Sequence, residues 1–173
     1  MKRLEILSEY LDKFSDKKVE STIQQQPFFS QSKKAVESFA AGEKDKNFVS
    51  LHWLLSEEPM DVKTQLAVGF LNYLLLGTPA APLYKCLIDS NLGEAVIGGG
   101  VEDGLRQPTF SVGLKGVDSE NIGRVEGVIM DELQRLAKEG FSQNAIDAAM
   151  NTIEFSLREN NTGRFPRGLL LMF

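Results

Sequence analysis

Histidine and cysteine are the chemically versatile side chains that this sequence has least of, because His52 and Cys86 each stand alone among 173 residues. A zinc peptidase brings two histidines onto one helical face, with a glutamate between them to activate water. Neither H-E-x-x-H nor its inverse H-x-x-E-H can therefore be written here. A Ser-His or Cys-His device would have to use His52, which lies in an apolar run, so we interpret it as a strand histidine hydrogen-bonded within or at the edge of the core.

The single cysteine excludes an internal disulfide and indicates a reducing or neutral compartment. Cys86 lies between the apolar residues Leu83 and Leu87 on a helical pattern, so we expect a buried and inert thiol. No nucleophile in the sequence has a visible base beside it. The residues by themselves therefore predict no catalytic site in this chain.

Long apolar runs and an excess of positive charge are also absent. No apolar run approaches the roughly 20 residues that are needed to cross a bilayer. Residues 1–14 have no apolar stretch typical of a signal peptide and are too acidic for a transit peptide. The net charge is −5, whereas phosphate binding needs clustered positive charge. We expect neither nucleic acid nor a membrane as a partner.

The order of apolar patterns predicts one α+β domain with flanking segments. Residues 1–14 have helical spacing with no cap before it, which is typical of the end helix of a preceding domain. Residues 15–32, rich in Lys, Gln and Ser, are interpreted as a linker, and residues 33–160 as the domain itself. Residues 161–173 stop inside an apolar run and are expected to begin the link to a following segment. Both ends indicate a chain cut from a longer protein.

Within the domain, four strands and four helices are predicted in the order β-β-α-α-β-β-α-α. Strands in pairs and helices in pairs favour a mostly antiparallel sheet with paired helices on one face. Asp61, Asp118 and Ser142 are expected to cap helices, and Gly77 and Gly140 to end them. The predicted strands are 35–39, 47–55, 94–101 and 109–117, and the predicted helices are 61–77, 78–91, 118–140 and 142–157.

The run Gly98-Gly99-Gly100 has two interpretations that the residues leave open. A strand without side chains exposes its backbone, so a peptide could add to it as a further strand. Alternatively, the glycines form only a bulge or bend. A phosphate loop is disfavoured because Glu102 and Asp103 follow, and these two acids are better explained as a solvated turn than as a cation site.

Five segments carry a resemblance to a known family. They are LNYLLLGTPAAPL at 71–83, GGGVED at 98–103, FSVGLKG at 110–116, IEFSLRENNTG at 153–163 and FPRG at 165–168. Together they resemble the presequence proteases of the pitrilysin family of zinc metallopeptidases, and most of all the plant organellar ones. The resemblance covers nearly the whole chain and is weakest in the linker.

The resemblance implies a part of a four-domain enzyme whose halves close around an unstructured peptide. In that family the first domain carries the zinc motif and the fourth completes the site. This chain resembles the second domain of the N-terminal half, where residues 69–74 occupy the position related to the zinc helix and offer no ligand. The resemblance thus implies no cofactor in this chain, zinc in the parent protein, and a chain that is inactive alone.

Site, partners and location follow from the same resemblance. A glycine-bearing edge strand anchors the substrate in related proteins, and the matching positions here are Ile97, Gly98, Gly99, Gly100 and Val101. The implied partners are unstructured targeting presequences and the missing domains of the parent, in the mitochondrial matrix or chloroplast stroma. The chain would form chamber wall and substrate anchor. The alternatives are a stand-alone peptide-binding or assembly module without catalysis, and an inactive truncated product.

Overall fold

The computed structural model describes residues 2–15, 17–40, 46–159, 163–170 and 172. Within these ranges the chain forms three strands and six α-helices, with a short 3₁₀ turn at Ser119–Asn121 before α4. The elements are α1 (Lys2–Leu11), β1 (Asn47–Leu54), α2 (Val62–Leu76), α3 (Pro82–Asp89), β2 (Ala95–Glu102), β3 (Thr109–Val117), α4 (Ile122–Glu139), α5 (Gln143–Glu159) and α6 (Arg167–Leu170).

The sheet is antiparallel with the strand order β1-β3-β2, so β3 is the central strand. Side chains alternate across a strand, which places Phe110, Val112 and Leu114 on one face of β3, and all three are buried. On β1 the opposite face carries Phe48 and His52, which are exposed. The predicted α+β class, with a mostly antiparallel sheet and helices on one face, is confirmed.

The core lies between the inner face of the sheet and helices α2, α3 and α4. Side chains from all three helices and from β3 meet there, because each element has one apolar face that it can bury only against the others. Among the described residues, no helix is both long enough and apolar enough to cross a membrane. The buried cluster consists of Leu75, Leu83, Leu87, Leu92, Phe110, Val112, Leu114, Val117, Val125, Ile129 and Leu136.

The predicted helix ends follow from local hydrogen bonds. The Asp61 carboxylate accepts from the Thr64 N–H at 2.9 Å and caps α2, and this bond lowers the pKa of Asp61. Gly77 follows the last residue of α2. The Ser142 hydroxyl accepts from the Ala145 N–H at 3.3 Å in the first turn of α5, while Gly140 ends α4 with a φ of 73°.

The predicted first strand at 35–39 is wrong, so the described order between α1 and α6 is β-α-α-β-β-α-α. Residues 35–39 form no strand. Val36 is 83% exposed, and a strand there would bury little apolar surface to offset the cost of ordering its backbone. Phe39 instead contacts the sheet through its ring, which stacks on Phe48 with centroids 4.9 Å apart.

Two predicted helix starts also need correction. Helix α3 begins at Pro82 and not at Thr78, because the chain first makes a turn in which the Ala81 N–H donates to the Thr78 carbonyl at 3.0 Å. Asp118 makes no side-chain capping bond. Its carboxylate accepts from the Lys46 ammonium at 2.8 Å, and this contact raises the pKa of Lys46.

The segment interpreted as a linker contains neither helix nor strand in its described residues, and loop side chains hold it. The Gln107 carboxamide pairs with both peptide groups of Gln26: its oxygen accepts from the Gln26 N–H at 2.7 Å, and its nitrogen donates to the Gln26 carbonyl at 2.8 Å. Arg106 donates to the Ile23 carbonyl at 2.8 Å. The linker therefore follows the β2–β3 loop. The domain limits at residues 14, 32 and 160 stay a prediction.

We expect Leu114→Ala to lower the free energy of unfolding by about 2 to 5 kcal/mol, because it leaves a cavity in the fully buried inner face of β3. Urea denaturation followed by circular dichroism measures the change. Leu105→Ala is the matched control, since that side chain is 66% exposed. Equal losses in the two variants would contradict the placement of β3 at the centre of the core.

Candidate functional site

His52 lies on the outer face of β1, away from the helices, and its side chain is exposed. Its Nε2 is 2.9 Å from the Ser50 hydroxyl. Within the described part of the chain, no carboxylate hydrogen-bonds to the ring to complete a catalytic triad. The prediction of a hydrogen-bonded strand histidine is confirmed. The predicted position within or at the edge of the core is wrong, because the side chain is exposed on the outer face of β1.

Cys86 is half-buried on α3. Burial raises the pKa of the thiol, and the nearby Glu132 carboxylate raises it further. A raised pKa reduces the thiolate fraction at neutral pH, and the thiolate is the nucleophilic form. The expectation of an inert thiol therefore agrees with its surroundings, whereas the expectation of a buried side chain is wrong, because Cys86 is only half-buried.

A metal centre is not assembled by the residues that the structure describes. They contain no group of three or more His, Cys, Asp or Glu side chains placed to hold a metal ion. Glu102 instead closes a local turn, because its carboxylate accepts from the Gly104 N–H at 3.0 Å. Asp103 is exposed in the same turn, so the two acids form the solvated turn that the sequence predicts.

The triple glycine lies in β2, the edge strand that pairs with β3 on one side only. The register shifts between Ile97 and Gly100, so one extra residue of β2 is inserted there opposite β3. An insertion of this kind is a β-bulge. The bulge interpretation is therefore confirmed, and the bulge lies on an edge strand, while addition of a peptide to this strand stays a prediction. The three glycines have three different environments.

Gly98 is fixed by its backbone and by β3. Its φ is 91°, a conformation that residues with a Cβ rarely adopt. A Cβ atom built on Gly98 would lie 2.6 Å from the Ser111 carbonyl oxygen and 2.7 Å from the Val112 Cα. A side chain at Gly98 is therefore excluded both by strain and by close packing against the neighbouring strand.

Gly100 is fixed by a helix side chain. It is buried, its φ is 70°, and a Cβ on it would lie 2.0 Å from the Asn72 Oδ1 atom. That oxygen accepts from the Val101 N–H at 3.1 Å. Gly100 thus leaves the space through which Asn72 of α2 reaches the backbone of β2.

Gly99 is open. It is exposed, and a Cβ on it would meet nothing within 4 Å. It lies beside a groove of about 270 Å³ between β2 and the helices α2 and α3. The groove is lined by Asn72, Leu76, Gly77, Tyr84, Val96, Gly98 and Gly99.

The five positions matched to a substrate anchor are consecutive on β2 but are not equivalent. Gly98 and Gly99 line the groove and are exposed, whereas Gly100 is buried. Ile97 and Val101 are half-buried, and the Val101 N–H is already bonded. Whether the five positions bind a peptide stays a prediction.

The opposite wall of the groove is formed by helix residues that the sequence patterns do not predict, above all Asn72 and Tyr84. No spacing rule links positions so far apart in the chain to β2. One signal was present: Asn72 is a polar residue inside the apolar run of α2, FLNYLLL at 70–76. A polar side chain in such a run usually has a specific partner.

We expect Gly98→Ala to lower the free energy of unfolding by about 1 to 3 kcal/mol, because alanine is strained at a positive φ and meets β3. Gly99→Ala is the matched control one residue away, and a change of at most about 0.5 kcal/mol is expected there. Urea denaturation of both variants provides the measurement. Equal destabilisation would show that the two glycines have the same role.

Comparison with known proteins adds a family match. Residues 2–153 match the family model described as the peptidase M16 inactive domain. The chain is 55% identical over 98% of its length to presequence protease 1, chloroplastic/mitochondrial, of Arabidopsis thaliana, and it spans 16% of that protein. It is 33% identical over 98% of its length to Protein HypA of Clostridium perfringens, of which it spans 18%.

More distant similarities agree with this match. The chain is 30% identical over 73% of its length to the mitochondrial presequence protease of Xenopus laevis, of which it spans 12%. Its fold matches a solved structure described as a zinc protease from Bordetella pertussis Tohama I, with a TM-score of 0.54 and 18% identity. That alignment covers 69% of this chain and 64% of the other, and at this identity it supports the fold alone.

Proposed function

The chain belongs to the peptidase M16 family as its inactive domain, and on this premise we propose that it is the non-catalytic domain of a zinc metalloendopeptidase that degrades targeting peptides. Its role would be to hold an unstructured peptide, such as a cleaved presequence, while other parts of the protein cut it. The name of the Arabidopsis relative supports this substrate class.

One observation carries the proposed anchoring role: an edge strand with an open glycine borders a groove. An edge strand has peptide groups on its free side that can pair with an added strand. At Gly99 no side chain covers those groups, and no atom lies within 4 Å of where a Cβ would be. A peptide backbone could therefore approach β2 closely in the groove beside Asn72 and Tyr84.

Cleavage itself would be performed elsewhere in the parent protein. A zinc peptidase needs a zinc ion and a glutamate that activates the bound water. The described residues bring together no metal-binding group, and the chain spans only 16% of its Arabidopsis relative. In our proposal the remaining domains supply zinc, glutamate and the rest of the chamber.

A wall position in such a chamber would suit the exposed apolar side chains of this chain. Leu4 and Phe14 at the N-terminal end are 69% and 77% exposed, and Phe155 of α5 is 62% exposed. Exposed apolar clusters usually mark contacts with other protein. We propose that these residues pack against the parent's other domains, in the mitochondrial matrix or the chloroplast stroma. The name of the Arabidopsis relative, which is described as chloroplastic/mitochondrial, supports these two organelles.

A second candidate function is a stand-alone peptide-binding module. The observation in its favour is that this chain alone forms two opposite walls of the groove, β2 on one side and helices α2 and α3 on the other. The two candidates make different predictions about the isolated chain, because a stand-alone module must bind peptides without any other domain.

We expect the chain to bind a fluorescently labelled, unstructured targeting peptide of about 20 residues, and we expect Gly99→Leu to weaken that binding at least about tenfold by filling the groove. Fluorescence anisotropy measures the affinity, with zinc and with a chelator. The affinity should be the same with zinc and with the chelator, because the anchor as proposed uses no metal.

The matched control is Gly127→Leu on α4, where a Cβ likewise meets nothing within 4 Å and which lies outside the groove. Its affinity should equal that of the unchanged chain. Loss of binding in both variants, or in neither, would contradict an anchor at Gly99. Absence of binding to the isolated chain would overturn the stand-alone module, and the same titration of the full-length parent with Gly99→Leu would then decide the anchor.

A further inference from the structure

The free edge of β2 is not equally available along its length for pairing with an added peptide strand. This inference rests on the proposed peptide anchor and concerns where the anchor ends. We propose that Asn72 is a positioning residue that closes the edge at Val101, so that a bound peptide pairs with β2 only as far as Gly99 and must end or turn away there.

The Val101 N–H points towards helix α2 and not towards β3. It donates to the Asn72 Oδ1 atom at 3.1 Å. A backbone N–H points in one direction, so the group that donates to a helix side chain is directed away from the ladder with β3. An added peptide strand would need this donor, and Asn72 already occupies it.

The position of the Asn72 side chain depends on the absence of a side chain at Gly100. Asn72 Oδ1 lies 2.0 Å from the position of a Cβ on Gly100, where no side-chain atom could stay. Gly100 is also buried, although it follows the exposed Gly99. The boundary between the open and the closed part of the edge therefore lies between these two glycines.

The Asn72 side chain has a second polar group, the Nδ2 donor, which the bond to Val101 does not use. Val101 is the one hydrogen-bond partner of that side chain within the described residues, and Asn72 lines the groove together with Gly98 and Gly99. The Nδ2 group is thus left to donate to the carbonyl oxygen of a peptide that ends or turns at this point. Asn72 would in this way set the register of the bound peptide.

Three variants separate these roles. Asn72→Ala removes both the acceptor for Val101 and the Nδ2 donor. Asn72→Asp keeps an acceptor of the same shape for Val101 but removes the donor. Asn151→Ala, at an exposed position on α5, is the matched control.

The experiment is residue-resolved amide hydrogen exchange of the chain, free and with the same targeting peptide. In the free chain, Asn72→Ala should speed exchange at Val101 by about five- to tenfold, as expected for one lost hydrogen bond, while Asn72→Asp and Asn151→Ala should leave it slow. With peptide, protection in the unchanged chain should reach Gly99 and stop. In Asn72→Ala it should extend to Val101, a shift that loss of stability alone would not produce.

Two results would overturn the role of Asn72: unchanged exchange at Val101 in Asn72→Ala, or a peptide footprint that ends at the same residue in both chains. A different result would defeat the anchor itself, namely a peptide that binds the unchanged chain in the anisotropy titration but protects no amide in residues 95–99. Failure of the proposed role of Asn72 and failure of the proposed anchor therefore give different hydrogen-exchange results. In the anisotropy titration, weaker binding by Asn72→Asp than by Asn151→Ala is expected from loss of the Nδ2 donor, and equal affinities would refute that part.

Discussion

Burial of the inner face of β3 is the interaction on which the rest of this structure depends. Val112 and Leu114 are fully buried beneath the helices, and β3 pairs with both other strands. Because β3 occupies the centre of a three-stranded sheet, β2 lies at an edge. The core therefore determines that the glycine-bearing strand has a free side, and α2 and α3, which pack on the same core, supply the other wall of its groove.

The three consecutive glycines show how one sequence motif can serve several constraints at once. Gly98 allows the bulge to pack against β3, Gly99 leaves the groove open, and Gly100 admits the Asn72 side chain. Only the middle position could carry a side chain without disturbing the fold. A bulge also changes the local twist and pairing of a strand, so the same feature that shapes β2 limits the length of edge that another chain could use.

The sequence was informative where a local rule decides the structure. The alternation in 109–117 predicts β3 with both of its ends, and the capping roles of Asp61 and Ser142 are satisfied by bonds to nearby backbone groups. Residues 35–39 have similar apolar content, but burial decides whether such a segment is a strand, and there it is lacking. The groove could be predicted only on its β2 side, since Asn72 and Tyr84 reach it through the packing of helices.

The attachment of the linker has a consequence for how the chain responds to its surroundings. Gln107 holds Gln26 through a carboxamide, which imitates the donor and acceptor of a neighbouring strand. A carboxamide carries no charge, so it neither titrates nor loses its partner when dissolved ions screen charges. The pairing of Gln26 with Gln107 is thereby independent of acidity and ionic strength. The neighbouring contact in which the Phe28 N–H donates to the Glu57 carboxylate at 2.6 Å, and the Lys46–Asp118 ion pair beyond the other end of the sheet, instead involve charges that dissolved ions screen.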